Sequence, residues 1–119
     1  MILGVPVHLT HEHFLGGWDP LTCVIPTSIP AEVEQAFSNV DLAVKHAGGK
    51  GWEQVYSVRL YVTEMSEEMS RECVSAMKKW CPGHQPLWTW LGVKELALPG
   101  MRVEVEVVAD LGDAVEPQK

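Results

Sequence analysis

The stretch "MRVEVEVVA", residues Met101–Ala109, alternates along its length. Val103, Val105, Val107 and Ala109 fall on one face of an extended chain, and Arg102, Glu104 and Glu106 fall on the other. An apolar face of this kind must be covered, so the stretch predicts a strand with a core on one side. The charged face has two readings: a wet sheet surface carrying cross-strand ion pairs, or a site or subunit contact.

Moving towards the N-terminus, PLWTWLGV (Pro86–Val93) reads as a second strand, set off from the first by the Pro99-Gly100 turn. QVYSVRLYV (Gln54–Val62) is rich in β-branched and aromatic residues, with apolar groups on both faces, and predicts a central strand. One helix precedes each of these two strands. In SIPAEVEQAFSNVDLAVKHAGG, Val33, Phe37, Val40, Val44 and Ala47 recur at helical spacing, Pro30 suits the first turn, Glu32 and Glu34 favour the helix start, and Gly48-Gly49 ends it. In SEEMSRECVSAMKKW, Ser66 caps a stripe of Met69, Cys73, Met77 and Trp80, with Glu67 and Glu68 at the start, Lys78 and Lys79 at the end, and Pro82-Gly83 as the stop. The start of the chain reads as irregular and the tail, residues 111–119, as frayed.

Length and charge bound the function. The 119 residues predict a single domain spanning 1–119, large enough for one core. A net charge of −7 with nine basic residues and no basic run argues against a nucleic-acid partner. No stretch of about 18 apolar residues predicts a membrane span, and Met1–Val7 lacks the features of a signal peptide. Cys23, Cys73 and Cys81 are odd in number and have no CxxC spacing, so buried free thiols and a cytoplasmic location are expected. Gly48-Gly49-Lys50-Gly51 lacks the phosphate-loop pattern, and no organic cofactor is expected.

The order of helix, strand, helix, strand, strand lets both helices pack on the same side of one sheet by right-handed crossovers. The other side is then uncovered. Apolar groups on both faces of Gln54–Val62, with Trp88 and Trp90 sharing a face of their own strand, predict a protein partner there. A second copy of the chain is the expected partner.

Several pieces resemble the Rid/YjgF family, small trimeric proteins related to deaminases of reactive imines and enamines. They are WDPLTCVIP, EQAFSNVDLAVKHAGG, VYSVRLYV, PLWTWLGV and RVEVEVVA, covering roughly residues 16–110. GGWDP together with NVDLAVKHAGGKGWEQV is similar to a fungal branch of that family, which points to specialised metabolism. The resemblance implies an α+β, chorismate-mutase-like fold: a mixed sheet with two helices on one face, assembled as a homotrimeric barrel with small-molecule clefts between subunits. It implies that Glu106 is the carboxylate that orients water against a C=N carbon, with Glu104 and Arg102 beside it. A carboxylate so placed acts as a base or a water-orienting group.

The sequence departs from the family at two places. The family's Pro-x-Arg-Ser/Thr run, whose arginine clamps a substrate carboxylate, is Pro86-Leu87-Trp88-Thr89 here. Trp88 stacks on a flat or cationic ligand instead, and a different substrate is expected. The Ser-Gly-Gln segment before GGWDP is replaced by His13-Phe14-Leu15, residues 1–15 are divergent, and a tyrosine the family places near the N-terminus has no counterpart.

The expected substrate-binding set is Trp88, Thr89, Trp90, Gln85, Phe14, Trp18, Arg102 and Glu104, with Glu106 catalytic. His8, His11, Glu12 and His13 invite a metal reading, but no second ligand cluster follows downstream, and an acid or base role for one histidine fits better. His84 and Gln85 read as turn residues facing water, and Asp19 as the cap of the turn at Pro20. The expected function is water addition or proton transfer on a small imine, enamine or related metabolite; the alternative is a non-catalytic binding or interaction trimer.

Overall fold

A computed structural model describes residues 6–115. The elements run β1 (Pro6–Gly16), α1 (Ile29–His46), a 3₁₀ turn (Trp52–Gln54), β2 (Val55–Val62), α2 (Glu67–Trp80), β3 (Leu87–Gly92) and β4 (Val103–Val115). The strands form one mixed sheet in the order β1-β4-β2-β3, in which β2 and β3 are parallel and the other pairs antiparallel. A parallel pair needs a crossover connection, and α2 supplies it.

Both helices begin where the sequence places a hydroxyl cap. Ser28 Oγ accepts from the Ala31 amide at 3.3 Å, with Pro30 in the first turn, and Ser66 Oγ accepts from the Met69 amide at 3.1 Å. Their stripes, Val33, Phe37, Val40 and Val44 from α1 and Met69, Cys73 and Met77 from α2, bury against Val58, Leu60 and Val62 of β2 and Val103, Val105, Val107 and Ala109 of β4. Trp52 closes the core: its indole N–H donates to the Phe37 carbonyl at 2.7 Å and its ring stacks on Phe37 at 4.8 Å.

The two ends of the described chain are more ordered than expected. The start is the long strand β1, which pairs with β4 along its whole length. Its alternation is hidden because Leu9, His11, His13 and Leu15 on one side face Thr10, Glu12 and Phe14 on the other, so neither set is purely apolar. The tail expected from residue 111 continues β4 to Val115. There Gly112 takes φ +82°, its amide donates to Asp110 Oδ1 at 2.8 Å, and the ladder shifts register opposite Leu9 and Thr10. Residues 116–119 of the expected frayed tail lie outside the described residues.

Two facial expectations are corrected by register. β2 is not apolar on both sides: Val58, Leu60 and Val62 enter the core, while Ser57, Arg59 and Tyr61 occupy the opposite face. A register shift between Val55 and Ser57 turns Val55 inward as well. Trp88 and Trp90 do not lie on the uncovered face. Parallel pairing sets Trp88 beside Val58 and Trp90 beside Leu60, so both rings, 5.3 Å apart, pack on the helix side. Apolar groups do remain on the uncovered face: Val108 of β4 is half-buried, and at the margins Phe14, Leu87 and Leu91 are 53, 74 and 38% exposed.

The GGWDP segment is explained by close approach. A Cβ on Gly17 would sit 2.3 Å from the Glu32 carbonyl oxygen, so only glycine fits against α1. Asn39 holds the segment from above, its Nδ2 donating to the Gly16 and Trp18 carbonyls at 2.9 and 2.8 Å. Asp19 caps the next turn through the Thr22 and Leu21 amides, at 3.0 and 2.8 Å, and these bonds hold its carboxyl below the ordinary range. Cys23 departs from the buried-thiol expectation; it is exposed in this loop at φ +63°. Cys73 and Cys81 are buried, and desolvation pushes their thiols up to about 12 and about 11, far from a reactive thiolate.

His13 lies on the helix side of β1, its Nε2 buried without a hydrogen-bond partner among the described residues, and its ring stacks with His11 at 5.9 Å. Burial first, and the neighbouring charge of His11 second, lower its pKa from 6.5. A lowered folded-state value means the unfolded chain binds the proton more readily. The His13 contribution to stability is therefore full above pH 6.5 and lost as pH falls through the folded-state value. Urea midpoints of wild type are expected to fall more steeply than those of His13→Gln as pH drops from 6.5 to the folded-state value; parallel pH profiles across that window would contradict this.

Candidate functional site

Three transverse rows cross the uncovered face. Because neighbouring strands pair in fixed register, Phe14, Glu106, Arg59 and Thr89 lie side by side across β1, β4, β2 and β3. The row on one side is Gly16, Glu104, Tyr61 and Leu91; the row on the other is Glu12, Val108, Ser57 and Leu87. Four expected site residues, Glu106, Glu104, Phe14 and Thr89, thus meet on one surface.

Glu106 is the centre of this surface. The Tyr61 hydroxyl donates to its Oε1 from the Glu104 row. On the other side a recess of about 290 Å³ is lined by Glu106, Arg59, Ser57, Glu12 and Val108. The Glu106 carboxylate raises the Tyr61 pKa, chiefly through that hydrogen bond, then with burial and charge adding to it, while Arg59 pulls the other way. Glu104 is raised as well, by burial first and by the charge of Glu106 second. Among the described residues, no carboxylate lies within ion-pair distance of Arg59. The recess therefore offers a carboxylate with one oxygen tied, a hydroxyl and a guanidinium that interacts with Tyr61.

The other expected site residues are elsewhere. Arg102 precedes the first ladder residue of β4, so strand alternation does not govern it, and it turns to α1. Its Nε lies 2.6 Å from Glu32 Oε1, its amide and that of Val103 donate to Glu32 Oε2 at 2.7 and 3.1 Å, and its Nη2 donates to the Pro26 carbonyl at 2.9 Å. Glu32, wholly buried, is thus the anchor of the start of β4 and not merely a favourable charge at a helix terminus. Trp18 lies over Gly16, beyond the end of β1.

Trp88 and Gln85 line a second cleft of about 290 Å³ on the helix side, with His84, Pro86, Cys81, Lys78, Met77 and Val74. His84 is not a loose turn residue: it is half-buried, with Nε2 2.8 Å from the Val55 carbonyl. Trp90 follows Trp88 on the same side. Glu12 points away from His11 and His13 by strand alternation, and no three metal-ligating groups converge among the described residues. The side chain of His8 lies outside the described residues.

Sequence reasoning missed Arg59, Tyr61 and Ser57. The signal was present: in VYSVRLYV the polar members Ser57, Arg59 and Tyr61 are spaced by two. It was masked because Tyr61 reads as apolar and Val55 breaks the alternation.

Comparison with known proteins identifies the fold and the family. A family model described as Endoribonuclease L-PSP matches residues 15–111. Solved structures share the fold at low identity. Rv2704 of Mycobacterium tuberculosis, a member of the YjgF/YER057c/UK114 family, is 23% identical with a TM-score of 0.69, covering 90% of this chain and 80% of its own. Escherichia coli TdcF, solved with bound serine, is 17% identical with a TM-score of 0.75, covering 92% and 87%. Yeast Mmf1 is 23% identical with a TM-score of 0.72, covering 88% and 78%. No curated protein matches the chain in sequence. Among the described residues no helix is long and apolar enough to cross a membrane. With a family model spanning most of its length and this sheet beneath both helices, the chain belongs to the Rid/YjgF/UK114 family.

Proposed function

We propose that the protein hydrolyses a small reactive imine, or the enamine in equilibrium with it, at the Glu106 recess. The observation that carries this reading is the placement of Glu106 between a donor on one side and a polar recess on the other. A water held by the free Glu106 oxygen attacks the C=N carbon: a C–O bond forms, the C=N pair moves to nitrogen, and the carboxylate takes the water proton. Returning that proton to nitrogen gives the carbinolamine; Glu106 then takes the hydroxyl proton as the C=O bond forms and passes it to the departing nitrogen, so that the C–N bond breaks to a carbonyl compound and ammonia. Atoms and charge balance without an oxidant or a cofactor.

Arg59 directly across from Glu106 supplies a cation that Trp88 cannot. It favours a substrate with an anionic group next to the imine carbon. Arg59→Ala is expected to raise KM about tenfold or more for a carboxylate-bearing imine and to leave a neutral imine unaffected. Equal effects on both would remove Arg59 from substrate binding.

The recess is open in one copy, and the apolar margin of Phe14, Leu87 and Leu91 suits a neighbouring copy that would cover it. We take the assembly to be a homotrimer, as the family resemblance implies. A non-catalytic ligand-binding trimer is the second reading, favoured by Trp88 at the family's arginine position and on the opposite side of the sheet from Glu106. Incubation with freshly generated imines, reading ammonia release for wild type and Glu106→Gln, decides between them. Ligand binding without ammonia release in the wild type would favour the second reading.

A further inference from the structure

We infer that Tyr61 is a positioning residue for Glu106, fixing one carboxylate oxygen so that the other alone serves the recess. The inference rests on the reading of Glu106 as the acid/base group and adds to it a residue that does not itself line the recess.

The argument is geometric. Tyr61 lies directly across from Glu104 and diagonally from Glu106, within reach of a long side chain on the same face. Its hydroxyl donates to Glu106 Oε1, and among the described residues no other hydrogen-bond partner of that carboxylate is found. A free carboxylate on a strand rotates about its terminal bond and presents either oxygen. With Oε1 tied from the Glu104 side, only Oε2 remains for a water in the recess that Ser57, Arg59, Glu12 and Val108 complete. The same bond sets Tyr61 apart chemically. Its proton is held between a phenol and a carboxylate, and removing it would leave two anions in contact, with Glu104 facing them across the strand pair and Arg59 as a neighbouring cation. A tyrosine of this kind orients and does not supply protons near neutral pH.

The chain has two tyrosines, Tyr56 and Tyr61, so the coupling is directly observable. In a Tyr56→Phe background, phenolate absorbance reports Tyr61 alone. Its titration is expected to lie above the ordinary tyrosine range and to move down when Glu106→Gln is added. Tyr61→Phe keeps the ring and is expected to lower kcat for imine hydrolysis about tenfold or more with KM unchanged.

A Tyr61 titration indifferent to Glu106→Gln overturns the inference even if Tyr61→Phe fails to fold. Unchanged kcat in a folded Tyr61→Phe overturns it alone, leaving the catalytic reading of Glu106 in place. Absence of turnover in the wild type on every imine, with the titration coupling present, overturns the catalytic reading and the inference together.

Discussion

Glu106→Gln is expected to lower kcat for imine hydrolysis by about 10²- to 10⁴-fold, the range that a positioned general base contributes. Glutamine preserves the shape of the side chain, and its carbonyl oxygen still accepts from the Tyr61 hydroxyl, so the local geometry on β4 is retained. What it lacks is a site for the water proton. KM should change little, because Arg59 and Ser57 remain in the recess. Steady-state kinetics on an imine generated in situ, with the urea midpoint measured in parallel, makes the comparison clean. Activity within a few-fold of wild type would remove Glu106 from the chemistry.

The second large effect concerns stability. Glu32→Ala is expected to cost about 3–5 kcal/mol, the range for breaking one partner of a buried ion pair. The wild-type carboxylate is fully buried and satisfies three donors: the Arg102 guanidinium, the Arg102 amide and the Val103 amide. Alanine leaves all three without that acceptor. Arg102 is partly exposed, with 29% of its side-chain surface accessible, so water compensates some of the loss and the lower end of the range is favoured. Glu32→Gln should cost less, since one oxygen still accepts. A urea midpoint for Glu32→Ala equal to that of wild type would mean that β4 is held by other means.

Much of the fold was legible because local rules and tertiary packing agree. The stripes of α1 and α2, the Ser66 cap of α2 and the inward valines of β4 all follow from period and capping chemistry. β1 was not legible, since His11 and His13 sit on its core side and remove the alternation that marks a strand; only the β4 ladder makes it one.

The candidate site was legible in one residue type and not in its surroundings. Glu106 and Glu104 announce themselves as carboxylates on a strand face, but which arginine accompanies them depends on strand order. Arg102, their neighbour in sequence, goes to Glu32, and Arg59, from a strand far away in the chain, takes the place opposite Glu106. The same ignorance of register misplaced Trp88 and Trp90. A parallel partner fixes which side of a strand faces the helices, and nothing within PLWTWLGV states it.

The clasp of Glu32 on the first two amides of β4 has an evolutionary corollary. Whatever path the backbone takes after Gly92, it must arrive at the same carboxylate before the ladder begins, so Glu106 is counted from that fixed point and not from the end of β3. Extra residues between Val93 and Pro99 would enlarge a surface excursion at a small entropic cost. This connection is where descendants of the gene are free to change length while Glu106 keeps its address.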